Sequence, residues 1–198
     1  MAGGFTAVDL SQLAPPAVIE AYDFESIFAL MLADLRDRDS TFNALVESDP
    51  AYKILEVAAY REMLIRQRVN EAARAVMLAY AVGADLDQIA ANYGVERLVL
   101  DEGNPDAIPP VPPTLESDDD LRVRVQLSPE GYTSAGSRGS YVFHARGADA
   151  QVADAQAVSP SPGVVTVYIL SREGNGAASI DLTDKVQAAL SADEVRPM

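Results

Sequence analysis

The sequence predicts an α+β protein with a helical N-terminal half, one long central helix, and a small C-terminal α/β part containing a β-hairpin and flanking helices. Three observations lead there. Residues 50–82 run without an internal Gly or Pro and are dominated by Ala, Leu, Met, Arg, Glu and Gln, the strong helix formers. Five prolines crowd between Leu100 and Pro113, too many for the interior of a helix or sheet. Beyond them, two valine-rich runs at 152–158 and 164–170, separated by SPSPG, read as strands of a hairpin.

In chain order, residues 1–20 read as loosely structured, with Gly3–Gly4 and Pro15–Pro16 as breakers. Residues 23–38 form a helix candidate, because Phe24, Ile27, Phe28, Met31, Leu32 and Leu35 recur at helical spacing. Residues 41–47 add a further helical turn. The long helix, 50–82, has marked ends: Asp49 as N-cap, Pro50 in the first turn, and Gly83 for a left-handed cap. At 1.5 Å per residue it would run about 50 Å.

A seven-residue repeat places Leu55, Glu62, Val69 and Val76 on one line of this helix and Ala58, Ile65, Ala72 and Ala79 on the next. Val57, Met63, Leu64, Met77 and Leu78 lie off that seam, so the helix is apolar almost all round. A membrane span is excluded by Arg61, Glu62, Arg66, Arg68, Glu71 and Arg74. Two readings stay open: the core helix of a single domain, or a helix completed by other chains. The second is favoured, because the rest of the sequence offers few helices long enough to cover it.

After Gly83, Asp85 and Gln88 resemble a capping box for a short helix that Gly94 closes, turned back on the long one as a hairpin. The expected organisation is a helical region, 1–99, a Pro-rich linker, 100–116, and a small α/β domain, 117–198. In the last, Ser117 caps a helix that stops before Pro129, residues 130–139 form a flexible loop, and 140–146 a short helix. Gly174–Gly176 make a turn, and 182–190 a final amphipathic helix.

Composition narrows the function classes. The net charge is −15, which argues against nucleic acid as a general partner. Residues 50–82 instead carry Lys53, Arg61, Arg66, Arg68 and Arg74 against Glu56, Glu62 and Glu71, a net +2 that leaves −17 for the remainder. A basic rod on an acidic body favours acidic neighbours, further copies of the chain included; local pairing, as of Glu62 with Arg66, accounts for the charges equally well. There is no cysteine, so disulfides and cysteine-rich metal sites are excluded. No secretory signal opens the chain.

Candidate chemistry is sparse. The triplet Asp118–Asp120 lies at a helix N-terminus, where consecutive side chains point about 100° apart and cannot converge on one ion. The loop 130–139 lacks the lysine and hydroxyl of a phosphate-binding loop. His144 is the only histidine, too few for a triad or a histidine metal site. Glu62, on an apolar seam, is expected to pair with Arg61 or Arg66 and to fix register between helices. No catalytic residue, cofactor or metal site is expected. The residues expected at an interface are Leu55, Ala58, Arg61, Glu62, Ile65, Arg66, Val69, Ala72, Val76 and Ala79.

The stretch ALVESDPAYKILEVAAYREMLIRQRVNEAARAVMLAYAVGADLDQIAANYGVERL resembles the baseplate J family of contractile phage tails and phage-like particles. The similarity begins near DLSQLAPPAVIEAYDFESI and continues through ESDDDLRVRVQLSPEGYTSAGSRGSYVFHA and VSPSPGVVTVYILSREGNG. The resemblance implies a non-enzymatic structural piece of the tail baseplate wedge in the virion, put together in the host cytoplasm. It implies that two copies join a second wedge protein through a shared bundle of long helices, with further contacts to neighbouring wedges and the tail hub. No nucleic acid and no membrane is implied. Family chains continue beyond VRPM with strand-forming sequence, so a truncated C-terminus and an incomplete hairpin sheet are expected. The contrasting readings are a helical adaptor or assembly chaperone that binds transiently, and a ligand-binding domain.

Overall fold

The computed structural model describes residues 8–16, 18, 20, 22–132 and 136–195. Gly3–Gly4, the terminal residues 196–198 and positions 133–135 of the 130–139 loop lie outside the described residues. The fold is α+β, with six α-helices and two separate two-stranded antiparallel sheets among the described residues. The chain divides into two compact units, Gln12–Ala81 and Val82–Met198, the second joined by the segment ending at Ser11. This division falls after the long helix, well before the proline-rich stretch expected to separate the halves.

The first unit is a pair of helices. α1 spans Phe24–Arg38, and its N-cap Asp23 accepts from the Ser26 N–H at 2.8 Å. Asp39 ends it and caps a 3-10 turn, Ser40–Ala44, by accepting from the Thr41 N–H. α2 spans Pro50–Ala75 with Pro50 in its first turn. Asp49 occupies the N-cap position, but its carboxylate reaches back to the Val46 N–H instead of capping the helix. The core joins Ile27, Phe28 and Ala59 with Phe24, Met31, Leu32, Tyr52, Leu55 and Met63. Phe28 and Tyr52 pack ring against ring at 4.8 Å.

α2 is shorter than the sequence predicts. Its 26 residues give about 39 Å, and the chain from Val76 to Ala81 forms turns. No Gly or Pro stands between Ala75 and Gly83, and the chain past the helix end is held by short-range backbone bonds and one distant contact. The N–H groups of Tyr80 and Ala81 both bond the Met77 carbonyl, Ala81 is buried, and the Tyr80 hydroxyl donates to the Leu13 carbonyl at 2.7 Å. Further up α2, buried Asn70 donates to the Glu20 carbonyl and accepts from the Glu20 N–H. The segment before α1, expected to be loose, is thus fastened to α2 at Glu20 and to the turns after α2 at Leu13.

The second unit begins with α3, Gly83–Asn92. Gly83 takes the expected positive φ of 53°, but it opens α3 instead of closing α2, and Val82 occupies the N-cap position expected of Asp85. α4 spans Asp118–Gly131, α5 Arg138–Ala148 and α6 Ile180–Leu190, each with a serine N-cap (Ser117, Ser137, Ser179) that accepts from a backbone N–H. α4 does not stop before Pro129. A proline there leaves the Val125 carbonyl without its helical donor, and the Ser128 hydroxyl replaces it at 2.9 Å. β3, Val152–Ser161, and β4, Val164–Ser171, form a hairpin in which Ala155 faces Ile169 and Ala157 faces Val167. The buried residues Ala145, Val152, Leu182 and Val186 hold its inner face to α5 and α6.

The proline-rich stretch is not a linker. β1, Val99–Asp101, and β2, Thr114–Leu115, pair antiparallel, and Asn104 and Val111 exchange two backbone bonds farther out. Residues 99–115 therefore double back on themselves within the second unit as a narrow arm. Gly103 makes the fold-back possible: its φ is 69°, and a Cβ there would collide with the Val111 carbonyl.

Candidate interaction surface

The sequence-predicted seam on α2 divides in two. Leu55 joins the α1–α2 core, and Glu62 and Arg66 form an ion pair at 2.7 Å, with Arg66 also reaching Glu20 at 3.2 Å. Both side chains of the Glu62–Arg66 pair are more than a third exposed, so this is a surface pair contributing at most about 1 kcal/mol. Arg61, Ile65, Val69, Ala72 and Val76 are exposed. Ala58 and Ala79 are half-buried, and Val76 and Ala79 lie past the last helical residue.

Ile54, which the seam omitted, belongs with the exposed set. At 100° per residue, Ile54, Ala58, Ile65, Val69, Ala72 and Val76 fall within an arc of about 60°, roughly a third of a turn from the face that packs on α1. Ile54, Ile65, Val69 and Val76 are 69%, 64%, 54% and 76% exposed. Arg61 and Arg68 border this stripe, are exposed, and make no ion pair among the described residues.

The strongest electrostatic network lies in the other unit, at the base of the arm, and sequence reasoning missed it. The Arg124 guanidinium contacts Glu116 at 2.7 Å and donates to the Glu96 carbonyl at 2.9 Å; the two side chains are 8% and 2% exposed. Glu116 also accepts from the Leu98 N–H. Beside it, Arg97 bonds Asp87 and Asp118 at 2.7 Å each and donates to the Glu116 carbonyl at 2.6 Å. Burial works against the Arg97 charge, yet Asp87 and Asp118 hold its pKa above the ordinary value. Burial likewise works to raise the Asp118 carboxyl, but Arg97 and the Gly83 N–H outweigh it and hold it below the usual carboxylate range. The sequence signal was a scatter of arginines and carboxylates between Asp87 and Arg124, which fixes no partner until the chain folds.

The acidic triplet diverges. Asp118 faces Arg97, Asp119 faces Arg122 at 2.7 Å, and Asp120 contacts Arg172 at 3.0 Å and Arg146 at 3.6 Å. Among the described residues no group of three or more His, Asp or Glu is placed to hold a metal ion, and no helix is long and apolar enough to cross a membrane. Burial lowers the pKa of His144, whose ring meets Phe143 edge-on at 5.3 Å. A cleft of about 370 Å³ between β4 and α6 is lined by Tyr141, Val165, Val167, Ile169, Val186 and Leu190 among others, with no carboxylate, imidazole or amine on its walls.

These features define an α+β protein with an exposed apolar stripe on α2 and a buried ion-pair network at the base of the arm. The family comparisons give the class a name: residues 47–104 match the baseplate J-like N-terminal domain and residues 133–198 the baseplate J-like central domain. The chain is similar to baseplate protein J of Escherichia phage P2, 50% identical over 198 residues that cover 96% of this chain and 66% of that protein. The chain belongs to the baseplate J-like family. It spans about two thirds of the length of that relative.

Proposed function

We propose that the chain is a structural, non-enzymatic component of a phage tail baseplate wedge, located in the virion and assembled into it through the exposed face of α2. Its partners on this reading are a second copy and another wedge protein, with further baseplate and hub proteins beyond them. Family membership and the similarity to a phage baseplate protein support the baseplate role. The observation that carries the assembly role is the apolar stripe from Ile54 to Val76, left open on the side of α2 away from α1. An aligned row of this kind costs solubility in a lone chain and marks a surface that another chain covers.

The test is the double substitution Ile65→Asp/Val69→Asp. Both residues are exposed, so the folded chain should retain its helical content and melting temperature. Incorporation into tail particles should be lost. Normal incorporation by the doubly charged variant would show that the contact lies elsewhere.

A further inference from the structure

We infer that the arm of residues 99–115 docks on the α2 stripe of a second copy of this chain. The inference rests on the proposed use of the α2 face and names the surface that meets it. The arm is built to present its tip. Its base is closed by the Glu116 N–H bonded to the Leu98 carbonyl at 2.8 Å and by the buried Arg124–Glu116 pair, and its middle by the two Asn104–Val111 bonds. Asn104 and Asp101 side chains cap the bends by accepting from the Asp106 and Gly103 N–H groups. Five prolines stiffen what remains. On this frame Ile108 is fully exposed and Val111 about half exposed. Because the arm is held before any contact forms, docking it loses little conformational entropy.

Charge selects the surface. Asp101, Glu102 and Asp106 are exposed and form no ion pair among the described residues, and no Lys or Arg occurs between Arg97 and Arg122. The arm is thus an apolar peg in an acidic setting. The α2 stripe has the opposite arrangement, an apolar row bordered by unpaired Arg61 and Arg68. Two α2 stripes facing each other bring like charges together; an arm against a stripe brings carboxylates to both arginines. The cleft between β4 and α6 offers apolar walls but no cation to meet the arm's carboxylates.

The test uses the absence of cysteine. An Ile108→Cys chain is mixed with a Val69→Cys chain and oxidised, so that a mixed disulfide reports contact between copies. The expected result is a covalent heterodimer whose yield falls severalfold at 1 M salt, where charge screening acts within about 3 Å. Adding Arg61→Glu/Arg68→Glu to the Val69→Cys chain should abolish the product. Adding Glu102→Lys/Asp106→Lys to the Ile108→Cys chain should then restore it; Asp101 is left intact because it caps Gly103. No heterodimer at high protein concentration, a yield indifferent to the charge reversals, or preferential coupling of Ile108→Cys to Val165→Cys in the cleft would each overturn the inference. So would coupling in assembled particles to a different baseplate protein only. If Ile65→Asp/Val69→Asp blocks incorporation while Ile108→Asp does not, the arm inference fails alone; if neither blocks it, the reading beneath it fails too.

Discussion

Arg97 and Arg124 at the base of the arm donate to carboxylates and backbone carbonyls, with the buried Arg124 Nε alone left without a partner among their described contacts, whereas Arg61 and Arg68 on α2 stand in water without an acidic partner among the described residues. The residue type is the same and the physical role is opposite. A guanidinium inside the protein is tolerable only because its partners are fixed, so it locks the backbone that supplies them. A guanidinium on the surface fixes nothing within the chain and remains free to meet an anion from outside. The first pair belongs to the stability of the fold; the second belongs to its associations on the use proposed for α2.

The largest effect is expected from breaking the buried pair. Arg124→Ala leaves Glu116 charged and 2% exposed, at a cost of about 3–5 kcal/mol by urea unfolding. Glu116→Leu added to Arg124→Met should recover most of that loss, because two apolar groups need no partner. A double variant as unstable as Arg124→Ala would place the value of the site in the Glu96 and Leu98 backbone bonds instead of the ion pair.

Arg97→Ala is expected to cost about 2 kcal/mol, less than Arg124 because Asp87 and Asp118 are partly exposed and rehydrate. Its sign against pH follows from Asp118, whose folded pKa lies below the unfolded value of 3.8. The stability it contributes is present above pH 3.8 and is lost as pH falls through the lowered folded value. Acid titration of the wild-type chain should show this loss, and in Arg97→Ala the same window should flatten. An unchanged acid slope would assign the slope to other carboxylates such as Asp149, whose pKa is also lowered: burial opposes that shift, and the Gln151 N–H and Lys185 outweigh it.

The difference between these regions also explains what could be read from the sequence. The Ser117 cap, the hairpin and the face of α1 were legible because each depends on residues a few positions apart, as Ser117 with Asp120 and Phe24 with Phe28; the caps expected of Asp49 and Asp85 did not form. The Glu62–Arg66 pair, four residues apart, was legible for the same reason. Arg124 with Glu96, Asn70 with Glu20 and Tyr80 with Leu13 join positions far apart, and no local pattern encodes them. The end of α2 was misplaced because strong helix formers continue past Ala75, where the chain instead turns and Tyr80 bonds distant Leu13. Residues 100–116 read as a linker because prolines exclude regular interiors; that their two ends meet is set by Leu98 and Glu116, which composition does not show.

The smallest effect on stability is expected from Arg61→Ala/Arg68→Ala. Both side chains are exposed and neither ion pair in their neighbourhood involves them, so the doubly substituted chain should unfold within about 0.5 kcal/mol of wild type. Alanine also has the higher helix propensity, which offsets any loss of aliphatic contact along the side-chain stems. Association should respond quite differently. A surface whose specificity comes from its rim charges loses rate and selectivity when those charges are removed, while the apolar row from Ile54 to Val76 remains. Measured side by side, unfolding in urea and self-association across a salt series therefore separate the two roles of arginine. If the double alanine variant is instead destabilised by more than about 1 kcal/mol, Arg61 and Arg68 serve the fold after all. The contrast with Arg97 and Arg124 would then be one of exposure alone, with no division between folding and assembly.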